Sequence, residues 1–165
     1  MKNSRYTVND NGDILYLNES GEFHNLDGPA VIYLDGSKFW YVNGKRHRLD
    51  GPAVVWNNGL TEWWLDGKLH RIDGGPASEH PDGTRFWFRH GKLHRLDGPA
   101  IEDADGYKSW FVNGKRHRTD GPAVELVDGS KNWYISNVKL TEEEFDFWSK
   151  DWNEESELMF KLSYS

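Results

Sequence analysis

The chain has 165 residues, enough for one core-forming domain, yet only 36% are apolar while 15% are aromatic, so burial has to lean on Trp, Tyr and Phe. There is no cysteine, which excludes disulfides, thiolate metal sites and a thiol nucleophile. The formal net charge of −7 is uneven, since residues 1–140 hold 18 Lys and Arg against 19 Asp and Glu while residues 141–165 hold 2 against 8; steering of a polyanion onto the repeats by net charge is therefore not expected.

No run approaches the ~18 apolar residues of a membrane span. Met1 to Asp10 lacks the apolar core of a signal peptide. The expectation is a soluble cytoplasmic protein, in the host cytoplasm if viral.

Residues 1–23 read as a degenerate N-terminal capping repeat. Asn11-Gly12 and Tyr16 keep the glycine-to-aromatic spacing of Gly36 and Trp40, but the rest has drifted. From His24 a phrase recurs: His24-Asn-Leu-Asp-Gly-Pro-Ala30, His47-Arg-Leu-Asp-Gly-Pro-Ala53, His70-Arg-Ile-Asp-Gly-Gly-Pro-Ala77, His94-Arg-Leu-Asp-Gly-Pro-Ala100 and His117-Arg-Thr-Asp-Gly-Pro-Ala123. The histidines stand 23, 23, 24 and 23 residues apart, and the extra glycine at Gly74-Gly75 explains the longer step. Residues 24–140 are thus five repeats of one supersecondary unit.

Each phrase leads into a short strand closed by Asp-Gly or Asn-Gly at Gly36, Gly59, Gly83, Gly106 and Gly129, the pair that favours a two-residue hairpin turn. The returning strands carry Trp40, Trp63, Trp87, Trp110 and Trp133, each followed by a second aromatic, so adjacent rings are expected on opposite faces. A second turn at Asn43-Gly44, Asp66-Gly67, His90-Gly91 and Asn113-Gly114 folds a Lys-x-His piece back on the Trp strand. If both turns have two residues, Val31 and His47 flank Trp40 and Ala30 faces Tyr41, with the histidine packing its edge on the Trp. In the last copy, Asn137-Val-Lys stands where Asn-Gly-Lys is expected.

Residues 141–165 form an acidic helical cap. Thr141-Glu-Glu-Glu144 is a capping box, and Phe145, Trp148 and Trp152 at i, i+3 and i+7 make a stripe suited to covering the last sheet edge. Asn153 is placed to cap a short second helix through Leu158 to Lys161. The fold class is all-β: an elongated, twisted antiparallel meander of ~23-residue β-hairpin repeats with a C-terminal α-helical cap.

A hairpin unit of this length, with the Gly36 to Gly129 set at its turns, the Trp40 to Trp133 set at fixed offset and Asn43-Gly44-Lys45 type turns, resembles the MORN repeat and its divergent bacterial and phage relatives, antitoxin-like repeat proteins among them. The resemblance covers roughly residues 8–140. It implies an elongated sheet acting in recognition or scaffolding. Asp-Gly-Pro-Ala repeats also look similar to those of phage and large-virus proteins, which implies a viral effector as an alternative setting.

The constellation with chemical potential is His47, Arg48 and Asp50, with copies at His70, Arg71 and Asp73, at His94, Arg95 and Asp97, and at His117, Arg118 and Asp120. A histidine oriented by an aspartate is a general base, and His-Arg pairs bind phosphate. An enzyme needs one asymmetric pocket, however, and a motif copied at constant spacing is more simply a requirement of every unit. Metal binding lacks a local ligand cluster, and nucleophilic catalysis lacks a signature.

Lys38, Arg85, Lys108 and Lys131, two before each Trp, suit a nucleic-acid strand, but the near-neutral repeats disfavour that partner. Glu142, Glu143, Glu144, Asp146 and Asp151 offer a negative patch to a basic partner, as in an inhibitor that mimics a polyanion. The reading is a non-enzymatic protein-binding, scaffold or inhibitor module. It needs no cofactor or metal and does not insert into membranes. Its candidate contacts are Lys38, Trp40, His47, Arg48, Trp63, His70, Arg71, Arg85, Trp87, His94, Arg95, Lys108, Trp110, His117, Arg118, Glu142, Glu143 and Asp146. The alternative is a sponge or enzyme for a nucleotide-like anion held by repeated His-Arg pairs.

Overall fold

The computed structural model describes residues 5–164; the sequence-based boundaries that fall on residues 1–4 and 165 lie outside them. The fold is all-β antiparallel hairpin repeats followed by two short helices. It forms two compact units, 1–92 and 93–165. In the first, the strands Arg5–Val8, Ile14–Leu17, Val31–Ile32, Lys38–Phe39, Val54–Val55, Thr61–Glu62, Ser78–Glu79 and Arg85–Phe86 are successive neighbours in an antiparallel meander. The second has Ile101–Glu102, Lys108–Ser109, Val124–Glu125, Lys131–Ile135 and Val138–Leu140 in the same arrangement.

The first turn of each repeat has three residues, not two. Tyr33 N–H donates to Ser37 O (2.9 Å) and Gly36 N–H to Tyr33 O (2.9 Å), with Gly36 at φ +92° as a left-handed bulge. The aspartate before the glycine accepts from the amide beyond it, as in Ser37 N–H to Asp35 Oδ1 (2.8 Å), so Asp-Gly here builds a type I turn with a glycine bulge. The extra residue shifts the register by one. Val31 faces Phe39, not Trp40, and Ala30 N–H donates to Phe39 O (2.8 Å), correcting the pairing with Tyr41 expected from a two-residue turn.

The second turn does have two residues, both left-handed: Asn43 at φ 47° and Gly44 at 72°, and likewise Asp66-Gly67, His90-Gly91 and Asn113-Gly114. His47 lies opposite Trp40 as expected, its N–H donating to Trp40 O (3.1 Å). Trp40 belongs to neither ladder. Its own N–H turns to Ala53 O (2.8 Å) in the following phrase, so the strand bends there and Tyr41–Val42 pairs with Lys45–Arg46 in a separate hairpin. Trp63 and Trp110 make the same bond to Ala77 and Ala123.

The last copy explains the bend. No phrase follows Trp133, and there Lys131–Ile135 runs straight through the tryptophan, with Trp133 opposite Leu140. Ile135 pairs with Val138, so the turn residues are Ser136 and Asn137, and Asn137 at φ 72° fills the glycine position rather than the one before it. At the other end Tyr16 stands in for Trp, with Tyr16 N–H on Ala30 O (2.7 Å) and His24 N–H on Tyr16 O (2.9 Å). The drifted first copy keeps the bonds while changing the side chains.

The phrase alanines Ala30, Ala53, Ala77, Ala100 and Ala123 are fully buried, since each lies where the next chain segment crosses. The first unit packs Val31, Phe39 and Val54 with Leu15, Phe23, Tyr41 and Trp64. The second centres on Ile135, Leu140, Phe145 and Phe160, flanked by Trp133, Val138, Trp148 and Trp152.

Helix α1 (Glu142–Ser149) starts at the Thr141 capping box and α2 (Glu154–Ser163) at a second box on Asn153. α1 stops before Trp152, correcting the single-helix stripe. The chain turns at Asp151 (φ 57°) and Trp152 reaches the core from the connection, its ring 5.9 Å from that of Phe160. Among the described residues no helix is long and apolar enough to cross a membrane.

Candidate functional site: the groove between phrase loops

The arginine of the phrase folds back over its own loop. Arg48 Nε donates to Asp50 Oδ1 (2.9 Å) and Nη1 to Pro52 O (3.2 Å), and its guanidinium carbon lies 4.1 Å from the centre of the Trp40 ring. Arg71 repeats this on Asp73, Pro76 and Trp63, and Arg118 on Asp120, Pro122 and Trp110. Arg95 binds Asp97 and Pro99. Each stacked pair is worth ~0.5–2 kcal/mol, and a planar fork is needed to make it. Arginine, not histidine, therefore covers the tryptophan.

The clasp also explains the glycine after the aspartate. A Cβ on Gly51 would lie 2.8 Å from Arg48 Cζ, and Gly75, Gly98 and Gly121 face their arginines as closely. In the first phrase Asn25 replaces arginine. Its Nδ2 still donates to Pro29 O (3.0 Å), but a Cβ on Gly28 would meet it only at 3.7 Å. The Arg48 guanidinium beside Asp50 holds that carboxyl below the usual range through its hydrogen bond first and its charge second, and Arg71 and Arg95 lower Asp73 and Asp97 chiefly the same way.

The histidines join successive hairpins. Nδ1 of His24 accepts from Asn43 N–H (3.1 Å), His70 from His90 N–H (3.2 Å), His94 from Asn113 N–H (3.0 Å) and His117 from Ser136 N–H (3.2 Å). Each donor amide belongs to a left-handed turn residue of the next hairpin. A ring nitrogen that accepts carries no proton, so this geometry calls for the Nε2–H tautomer at all four. At His47 the Nδ1 stands 2.9 Å from the Asp66 carboxylate and 3.3 Å from the Asp66 N–H, donating to the first in one tautomer and accepting from the second in the other. Burial pushes the pKa of His70 and of His117 down; His90 and Arg89 push further at His70, and Glu157 opposes at His117.

A groove lies between neighbouring phrase loops at two places. In the first unit it has a volume of about 590 Å³ and is walled by Leu26, Asp27, Leu49 and Asp50 over Trp40 and Val42. In the second unit an equivalent groove of about 620 Å³ is walled by Leu96, Asp97, Thr119 and Asp120 over Trp110 and Val112. The rim side chains are bare: Leu26, Leu49 and Leu96 are 74%, 64% and 78% exposed. Folding leaves an aliphatic side chain in solvent at the same place in four of the five loops, Leu26, Leu49, Ile72 and Leu96, with Thr119 in the fifth.

The structure thus brings His47, Arg48 and Trp40 together, and His117, Arg118 and Trp110 likewise. His70, Arg71 and Trp63 share one phrase-and-hairpin unit, and Trp87 is buried. His94 and Arg95 open the second unit, Arg95 on a groove wall. Lys38, Arg85 and Lys108 stay outside these grooves, exposed in the ladder beside the first turns, because the strand bends before the Trp. Glu142, Glu143 and Asp146 are exposed along α1. Sequence reasoning missed the rim position; an aliphatic residue fixed inside a polar loop phrase was its only signal. No group of three or more metal-ligating side chains occurs among the described residues. No known protein-family model matches the chain, and no curated protein matches it.

Proposed function

We propose that this chain is a non-enzymatic, MORN-like repeat protein that binds a protein partner through its phrase loops, acting in the cytoplasm, of the host if viral. The supporting observation is the groove built twice from equivalent positions, once in each unit, rimmed by exposed Leu26 and Leu49 in the first and by Leu96 in the second. A repeated, shallow, apolar-rimmed surface suits contact with a chain more than turnover of one substrate. The anion-binding alternative is weakened because the arginines spend Nε and Nη1 on aspartates and proline carbonyls of their own loops. The exposed acids of α1, Glu142, Glu143 and Asp146, add a negative patch that suits an inhibitor of a basic protein.

The test uses the tagged full chain as bait in extract of its native host, with Leu49→Asp and Leu96→Asp singly and together. A captured protein should be reduced by either substitution and reduced further by both. Capture indifferent to all three variants, or abolished by one alone, overturns the reading.

A further inference from the structure

The groove-bearing face has a period, and that period selects the conformation of a bound chain. In the first unit each repeat adds two strands to the ladder, Val31–Ile32 with Lys38–Phe39, Val54–Val55 with Thr61–Glu62, and Ser78–Glu79 with Arg85–Phe86. Neighbouring strands lie ~4.7–4.9 Å apart, so equivalent points of successive repeats are displaced by about 9.5 Å. Leu26, Leu49 and Ile72 are all exposed and recur once per phrase, so the ladder's two-strand step sets the displacement from one to the next.

Few backbone conformations match it. A polyproline II helix rises ~3.1 Å per residue with three residues per turn, so every third side chain returns to one face after about 9.3 Å. An extended strand spans the same distance in three residues, but its side chains alternate and the third points away. An α-helix needs about six residues, roughly one and three-quarter turns, and carries the next side chain off the face.

Charge narrows the ligand further. The Asp50 side chain is 84% exposed whereas that of Arg48, laid on Trp40, is 24% exposed. Asp73 and Arg71 divide in the same sense, and Asp27 is exposed with no arginine in its phrase. An approaching chain therefore meets carboxylates around each apolar rim, and cationic side chains complement them.

We propose that the repeat face of residues 24–77 binds a proline-rich, basic peptide in polyproline II conformation. An apolar side chain at every third position packs beside Leu26, Leu49 and Ile72 in turn, and Lys or Arg between them reach Asp27, Asp50 and Asp73. This rests on the protein-binding reading and specifies the partner's chemistry; the preformed helix lowers the ordering cost of docking along a shallow surface.

The full chain is titrated by fluorescence anisotropy with three labelled probes: nine residues as three Leu-Pro-Arg triplets, the same residues reordered to break the three-residue period, and an amphipathic Leu/Lys helix. Binding of the triplet peptide is expected, weakened at least tenfold by reordering and at least tenfold by Leu49→Asp, a solvent-exposed change whose fold is checked by circular dichroism. Val127→Asp, at an exposed first-turn position of the second unit, should leave it unchanged. Equal binding of the reordered peptide, or no binding of the triplet peptide, overturns the assignment. Binding of the helical probe alone, lost in Leu49→Asp, overturns polyproline recognition yet leaves the protein-binding reading standing. Indifference of every probe to Leu49→Asp overturns both.

Discussion

The repeats and the C-terminal cap are held together by different forces. Within the repeats many of the fully buried side chains are small, Ala30, Ala53, Ala77 and Ser37 among them, and order comes from directional contacts: guanidinium on indole, aspartate on guanidinium, imidazole on a turn amide. At the cap, Phe145 and Phe160 are buried with Ile135 and Leu140 of the last hairpin against half-buried tryptophans, and burial at ~1.5–3 kcal/mol per large side chain dominates. A polar clasp is intolerant of conservative change, because geometry rather than volume carries it. An apolar cluster tolerates shape changes and fails on loss of volume.

The largest break in that contrast belongs to the cap. Phe160→Ala, at a site 2% exposed, should cost ~3–5 kcal/mol in denaturant unfolding; a loss under ~1 kcal/mol would show that the helices are not part of the folded body. Next comes Arg118→Lys, which keeps the charge but removes the fork and the stacking on Trp110. It should cost ~1–3 kcal/mol, whereas an equal charge-conserving change in a purely electrostatic clasp would cost almost nothing. Gly51→Ala and Gly28→Ala sharpen the same point. The first displaces Arg48 and should lose ~1–2 kcal/mol; the second meets only Asn25 and should stay within ~0.5 kcal/mol. Equal losses would assign the glycine to backbone needs instead.

A smaller effect is set by pH. His117 lies beside Trp152, ring centres 5.9 Å apart, and burial lowers its pKa. The unfolded chain, with an ordinary pKa of ~6.5, takes the proton first, so the stability from neutral His117 is complete above that value and is lost as pH falls through the lowered folded pKa. His70 acts in the same direction. Thermal melts should show Tm falling below pH 6.5, with a shallower fall in His117→Gln; an unchanged slope in that variant would remove His117 from the cause. Smallest of all, Lys161→Ala removes the Lys161–Glu157 pair on α2 (2.6 Å) and should change stability by only ~0.3–0.5 kcal/mol.

What was legible in the sequence were features whose cause is local. The 23-residue period, the left-handed Asn-Gly turns, the capping box on Thr141 and the helix cap at Asn153 depend on residues within one or two turns of chain, and each is present. Features decided by the next repeat were not legible. Asp-Gly serves both a two-residue turn and a three-residue loop with a bulge, and the choice set Val31 against Phe39. The bend at Trp40 follows from a bond to Ala53, thirteen residues on, and vanishes at Trp133 where no phrase follows. Histidine and arginine are adjacent in every full phrase, and only the fold assigns the indole to Arg48 and the turn amide to its neighbour. Trp152 kept helical spacing from Phe145, yet the left-handed Asp151 ends α1 first.

The most direct measurement is the tautomer of each phrase histidine, read by long-range proton–nitrogen correlation NMR at neutral pH. His24, His70, His94 and His117 should all be neutral with the proton on Nε2 and Nδ1 accepting from the following turn. Protons on Nδ1, or rings exchanging freely between tautomers as in an unfolded chain, would contradict the claim that these rings fasten one hairpin to the next.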